Sequence, residues 1–500
     1  MTIPRTFRDF LTQISKTDSV ALVDAKSGVE ISYKELFEKT HDLAYRLDIE
    51  VGDRVVLFEL SQLDWVISFF AIQLRGGIAV PIDERVHKTF LKKVVSDTDP
   101  VLAITNRDEL FEGLATVTYQ NLSKKLVNHN YVEESDPDDP CQIIFTSGTW
   151  SDPKGVVLSQ RNILANVEQI LSVYPDKEPG VILGILPLSH AYQQTLGLFT
   201  SLALGSKVVF LKVTNSTDLL ESIKKYKVTL IPLVPRVLEL LYSSITRKIK
   251  NKSARSFFVS AVSKARFLPR GVRRIIFFFV HKEIGKTLQT FVSGGAPLNN
   301  KMDNFFQGLG YKVMVGYGLS ECSPIVSAHF GQFRTNGEVG KPLPGIEVDF
   351  GNDGEIHVTG ENVFLGYWPN HSKTSRFSTG DLAEQKTNGN LVLRGRNKNL
   401  IIFDSGEKCF SEDLEGIISE IEEVELTCVI EKKRNGITCA ECLIGSKTPE
   451  VLTESQVITH VKSKMPFGVS ISKCVFVKDG DFPVTHTLKP NRAKIAELLD

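Results

Sequence analysis

Five hundred residues with 59 basic and 59 acidic side chains give a formal net charge of zero, which excludes a protein drawn to nucleic acid or to an anionic surface by its overall field. An apolar fraction of 42% with 24% charged residues is that of a globular chain able to bury large cores, and the length predicts two to four domains. No stretch approaches the roughly 20 apolar residues that span a bilayer, the N-terminal stretch lacks the apolar core of a signal peptide, and seven irregularly spaced cysteines suit free thiols in a reducing compartment; a cytosolic protein is expected.

Taken in chain order, helical patterns such as YKELFEKTHDLAYRL alternate with short apolar runs such as DRVVLFEL, VILGILPL and SKVVFLKV. That alternation predicts an α/β protein whose strands are mainly buried. Between Arg247 and Lys286 the composition shifts: twelve cations stand against one acid, Glu283, with phenylalanines at 257, 258, 267 and 277–279. Two readings stay open there. One is a solvated helical face over a core; the other is peripheral contact with an anionic membrane, since basic and aromatic amphipathic helices lie in the interface. A second break falls near Arg396–Asn399, so the expected domains are 1–397, a large layered unit, and 398–500, a small α+β unit that moves about a hinge at Lys398. In the small unit SEDLEGIISEI reads as a helix, two strands are joined through EKKRNG, ESQVITHVKSKM is a helix and KCVFVKD a strand. Cys439 and Cys442 fall in an apolar strand-like run, where residues three apart face opposite ways, so core packing is expected rather than a shared metal.

The segment from Ile143 to Val157 carries the most chemistry: an apolar strand, a loop with Thr146, Ser147, Gly148 and Thr149, then Lys154 and a second apolar strand. Hydroxyls, close backbone N–H groups and one ammonium suit phosphate oxygens. The loop is not a Walker motif, because GxxxxGK[ST] is absent, and alone it also reads as an ordinary turn. Other segments follow in order: Leu186-Pro-Leu-Ser-His190, Ser293-Gly-Gly-Ala-Pro-Leu298, Gly316-Tyr-Gly-Leu-Ser-Glu321, Ser378-Thr-Gly-Asp381, Gly395-Arg396 and Pro483-x-Thr-x-x-x-Lys489. With these motifs the chain resembles, over nearly its whole length, the adenylate-forming superfamily of acyl-CoA synthetases, luciferases and peptide-synthetase adenylation domains. SGGAPL and GYGLSECSPIVS look closest to the long-chain fatty-acid–CoA ligase branch.

The resemblance implies a large nucleotide- and acyl-binding domain with a small mobile lid, ATP and Mg²⁺ as cofactors, and a site distributed over the motifs. Gly294, Gly295, Ala296 and Pro297 would let the backbone approach the adenine, as glycine permits. Gly316, Tyr317 and Gly318 would place a ring on the other side, although a tyrosine there is as readily a core aromatic. Ser320 and Glu321 offer hard oxygens for Mg²⁺ on a polyphosphate. The resemblance further implies that Asp381 accepts the ribose hydroxyls, Arg396 supports ribose and phosphates, Lys489 bridges carboxylate and α-phosphate, and Gly406 lines a channel for a thiol after the lid rotates. The small-molecule partner is a carboxylic acid, first a long-chain acid and second a medium-chain or aryl acid, because LPLSHAYQQTLGLF lacks the carboxylate an ammonium would need. Apolar residues at 196–204 and 231–241 are expected to line its pocket, and His190 either gates it or is merely packed. Coenzyme A is the expected acceptor, with an acyl carrier protein as the alternative; a degenerate lipid-binding or interaction module is the non-enzyme reading. The sequence departs from the family pattern at Trp150-Ser151 in the phosphate loop, at Ser159-Gln160, and at Leu488 and Pro490 around the lysine.

Overall fold

A computed structural model describes residues 2–122, 136–146, 153–213, 215–331, 333–372, 376–421, 423–434, 436–465, 468–485 and 490–500. They form two compact units, Met1–Val348 with Val358–Phe377, and Asp349–His357 with Ser378–Asp500.

The first unit holds two sheets. In one, the strands Lys312–Gly318, Thr290–Ser293, Leu230–Leu233, Val181–Gly184, Lys207–Phe210 and Val20–Asp24 lie side by side and parallel. Leu230–Leu233 and Thr290–Ser293 are buried along their whole length, as parallel strands covered on both faces must be. In the other, Pro140–Thr146 pairs antiparallel with Lys154–Ser159, with Thr146 opposite Lys154, so the expected strand–loop–strand unit is present; residues 147–152 lie outside the described residues. Ser159-Gln160 has a structural use. Ser159 closes a capping box with Asn162 at the start of helix Gln160–Val173, and the Gln160 side chain accepts a hydrogen bond from the Phe7 N–H at 2.6 Å. Ile231, Leu233, Val237, Leu238 and Leu241, expected to line a pocket, belong to the core instead: the strand and helix carrying them are sealed by Phe291, Phe305 and Phe306.

The basic segment folds into helices Lys252–Ala265, Arg270–Ile276 and Phe278–Ile284. Its inner side chains solve a problem belonging to another element. Helix Asn300–Leu309 ends with carbonyls that have no partner within the helix. Arg273 donates to the Gln307 carbonyl at 2.6 Å, Arg270 to Gly310 at 3.0 Å, and His281 Nε2 meets the Leu309 carbonyl at 2.8 Å. Cations there also complement the negative end of the helix dipole.

The second unit contains a ribbon of strands Glu355–Thr359, Phe377–Gln385 and Leu391–Arg396, a hairpin Leu400–Ile402 with Lys408–Phe410, and a sheet ordered Leu426–Arg434, Ile437–Ser446, Ile471–Lys478. Helices Ser411–Ile418 and Glu454–Lys462 cover one face of that sheet with Leu414, Ile418, Val457 and Val461 over Cys442 and Ile444; Ile495 and Leu499 cover the other over Cys428 and Leu443. The helix, two strands, helix and strand read from sequence are all present. Cys439 and Cys442 lie on strand Ile437–Ser446, and all seven cysteines are free and buried. The compact units do not divide at 397/398. The ribbon 378–396 and residues 349–357 group with the C-terminal unit, and Asn397–Asn399 is a single 3-10 turn inside it.

Burial holds the His281 ring neutral, taking its pKa down to about 4, against the hydrogen bond it makes to the Leu309 carbonyl and with help from the charges of Arg274 and Arg270. An unfolded histidine titrates near roughly 6.5, so the denatured chain binds the extra proton first. His281 therefore adds stability above that value and loses it as pH falls toward about 4. Thermal unfolding between neutral pH and mildly acidic pH should show a falling Tm, and His281→Gln should flatten part of that slope; an identical slope in the variant would assign the acid sensitivity elsewhere.

Candidate active site

Parallel strands end on the same edge, and the loops that leave that edge form the crevice of an α/β sheet. LPLSH follows strand Val181–Gly184, GGAP follows Thr290–Ser293, and Ser320 and Glu321 follow Lys312–Gly318. The topology thus brings together motifs more than 100 residues apart. Local sterics then fix the glycines. A Cβ on Gly318 would sit 1.7 Å from the Pro324 carbonyl oxygen, where the chain doubles back, and one on Gly294 would lie 3.1 Å from the ring of Tyr192. Tyr192 is held there by its hydroxyl, which donates to the Val292 carbonyl at 2.8 Å. Gly295, Ala296 and Pro297 are exposed, Gly316 is half-buried, and Tyr317 is only 7% exposed on its strand.

Glu321 sits in the 3-10 turn Ser320–Cys322. Its backbone carbonyl accepts from Phe364 N–H at 2.9 Å, and its Oε1 accepts from the Tyr367 hydroxyl at 2.8 Å. Lys154 Nζ lies 5.0 Å from the centre of the same Tyr367 ring, a cation–π contact on the residue that bonds Glu321. Burial, and then the charge of Glu321, push the Tyr367 phenol well above its ordinary pKa, so it remains a donor. Tyr367 was not singled out in the sequence; a tyrosine after glycine in FLGYW carries no signal of its own.

A second cluster also escaped sequence reading. Asp83 is buried; Arg85 grips it with two hydrogen bonds of 2.9 and 2.8 Å, and His190 Nε2 stands 3.6 Å from its Oδ2. Burial alone would raise the Asp83 pKa, but the hydrogen bonds and charge of Arg85, with His190 close by, outweigh it and hold the carboxyl ionised below the usual range. His190 therefore lies beside a fixed anion, not simply among apolar groups.

A small apolar cleft opens to solvent in the same unit. Its wall includes Leu196, Val292, Met314, Gly316 and Ile325, with no charged side chain among the described residues. Of the expected lining, Leu196 is present, on the π-helical stretch Gln193–Thr200.

In the second unit Asp381 and Arg396 face each other across paired strands, and Arg396 Nε donates to Asp381 Oδ1 at 2.8 Å. Lys398 lies in the turn Asn397–Asn399, its pKa lowered by burial and by Arg396 and Arg492. Gly406 has a φ of +86°, which favours glycine, and no protein atom within 4 Å of where a Cβ would be. Thr146 and Lys154 are described; Ser147, Gly148, Thr149 and Lys489 lie outside the described residues.

Residues 12–368 match the AMP-binding enzyme family. The chain belongs to that family. It is 28% identical to the long-chain-fatty-acid–CoA ligase FadD15 of Mycobacterium bovis over 72% of this chain and 68% of that protein. It is 24% identical to the chloroplastic long-chain-fatty-acid–[acyl-carrier-protein] ligase AEE15 of Arabidopsis thaliana over 83% of this chain and 73% of that protein. Among solved structures it superposes on ATP-bound MatB from Rhodopseudomonas palustris with a TM-score of 0.82, at 21% identity and 99% coverage of both chains. Fold and family agree with the expectation from the motifs: this AMP-binding enzyme is an ATP-dependent, AMP-forming acid ligase.

The residues present fit a magnesium ion of the kind an AMP-binding enzyme would carry on its nucleotide. Tyr367 occupies one Glu321 oxygen, and the other takes no hydrogen bond among the described residues. No group of three or more histidine, cysteine or carboxylate side chains gathers among the described residues, so protein would supply one carboxylate and the phosphates the rest. Tyr367→Phe removes a bond to a charged acceptor, worth about 1.5–3 kcal/mol. It should lower acid-dependent AMP formation by about tenfold or more and raise the Mg²⁺ concentration needed for half-maximal rate. An unchanged Mg²⁺ dependence would leave Tyr367 a packing residue.

Proposed function

We propose that this enzyme activates an apolar carboxylic acid, first a long-chain fatty acid, as its acyl-adenylate and passes the acyl group to the thiol of coenzyme A. The observation that carries this reading is the uncharged cavity walled by Gly316, Val292 and Tyr192, whose chain neighbours are the nucleotide-binding candidates. An amino acid would leave its ammonium without a counter-charge there. The relatives matched over most of their length act, by name, on long-chain fatty acids.

In the proposed chemistry the acid's carboxylate attacks the α-phosphate of ATP and pyrophosphate leaves; AMP departs later, when the thiol takes the acyl group. Negative charge builds on phosphoryl oxygens, so fixed cations and N–H donors stabilise the transition state most. Thr146, Ser147, Gly148, Thr149 and Lys154 hold the leaving phosphates. Ser320 and Glu321 would hold Mg²⁺, which would supply charge neutralisation to those phosphates. Gly294, Gly295, Ala296, Pro297 and Tyr317 frame the adenine, while Asp381 and Arg396 exchange their mutual bond for the ribose. Lys489 supplies the ammonium between carboxylate and α-phosphate, and a hinge at Lys398 then presents Gly406 to the incoming thiol. His190, beside Asp83, would gate the acyl group.

A panel of acids tested for AMP and pyrophosphate release from ATP should show long-chain acids best, aryl acids weaker and amino acids inactive. No release with any acid would end the proposal. Lys489→Ala should abolish ATP–pyrophosphate exchange while sparing thiolysis of pre-made acyl-adenylate; exchange at a near-normal rate would remove the role given to Lys489. The second reading, transfer to an acyl carrier protein, is favoured by the AEE15 likeness. Product mass spectrometry with each acceptor separates the two.

A further inference from the structure

The four most exposed large apolar side chains among the described residues all lie in the basic segment: Phe279 at 81%, Phe257 and Ile275 at 77% and Phe267 at 69%. Val272, Ile276 and Phe278 are exposed beside them. Their siblings show how the patch is built. Phe258 and Phe277 meet edge to face at 6.2 Å beneath the surface, while an adjacent residue in each case, Phe257 and Phe278, turns to solvent.

Four of the six arginines turn to backbone carbonyls. Arg255, Arg270, Arg273 and Arg274 spend their guanidinium groups on the carbonyls of Ile249, Gly310, Gln307, Leu288 and Lys286, which seats the segment on its domain. The lysines stay outside: Lys250, Lys264, Lys282 and Lys286 are exposed, and Lys286 Nζ lies 5.2 Å from the centre of the Phe278 ring. Twelve cations against one acid give this stretch a formal +11 in a chain whose net charge is zero.

We infer that residues 247–286 form a docking surface for an anionic lipid bilayer, with Phe257, Ile275, Phe278 and Phe279 entering the headgroup boundary and the lysines paired with lipid phosphates and carboxylates. Charge complementarity selects this occupant. A second copy meeting the same face across a two-fold axis would set the two like charges together. Nucleic acid would use the aromatics for stacking but has no use for exposed Ile275, Ile276 and Val272. No helix among the described residues is long and apolar enough to cross a membrane, so the contact is peripheral. The inference goes beyond the catalytic reading and does not need it, because lipid binding is measured without ATP or acid.

The test is co-sedimentation of the full chain with vesicles of phosphatidylcholine alone and with vesicles in which about a third is phosphatidylserine, at low and high salt. Binding should be at least tenfold stronger to the anionic vesicles and should fall with salt. Ile275→Ser with Phe279→Ser, and separately Lys282→Gln with Lys286→Gln, should each weaken it severalfold with Tm unchanged. Equal binding to both vesicles, binding indifferent to both variant pairs, or no binding would overturn the inference. So would light scattering that shows a dimer dissolved by the Phe279 change, or salt-sensitive retention of single-stranded nucleic acid in preference to lipid.

Discussion

The site depends on one constraint: six adjacent parallel strands must all end at the same edge. Parallel strands covered on both faces have no room for polar chemistry along their length, so polar and flexible residues collect where the strands stop. LPLSH, GGAP and the Ser320–Glu321 turn occupy that edge because their strands are neighbours in the sheet, not because they are near in sequence. The antiparallel return of Ile325–His329 then bends the chain so sharply that only a glycine fits at 318. Glu321 is presented by this turn, and Tyr367, from a segment 46 residues further on, fixes one of its oxygens.

The same economy appears in the charge distribution. Overall neutrality conceals a strongly basic stretch, and within it arginine and lysine do different work. Arginine's planar fork suits backbone carbonyls that a helix end leaves unpaired, whereas lysine's compact ammonium stays hydrated at the surface. One sequence feature thus answers to both of its readings. Arg270, Arg273, Arg274 and His281 belong to a covered face, and the exposed lysines and outer phenylalanines to the other. Residues that cap carbonyls hold the helices firmly enough for their apolar outer face to stay presented to solvent.

Much of this was legible in the sequence because it is local or periodic. The strand–loop–strand around Thr146 and Lys154, the order of elements after Ser411, and the opposite-facing Cys439 and Cys442 follow from runs of apolar residues and their turns. What was not legible depends on contacts across the chain. Asp83 and His190 are 107 positions apart, and nothing near either of them announces a carboxylate–imidazole pair. The apolar run from Ile231 to Leu241 looks the same whether it lines a cavity or fills a core; only the phenylalanines at 291, 305 and 306 decide for the core. The unit boundary also escaped, because the 378–396 strands read like any others until their pairing partners are known.

The central claim is that the acid's carboxylate, seated beside Gly316, attacks the α-phosphorus of ATP. Positional isotope transfer tests it most directly. With a fatty acid labelled by ¹⁸O in both carboxyl oxygens, a turnover through acyl-adenylate to thioester leaves one labelled oxygen on AMP, read as a mass shift of the nucleotide. Labelled AMP is the result this account requires. Unlabelled AMP, or ADP with the label on inorganic phosphate, would contradict it.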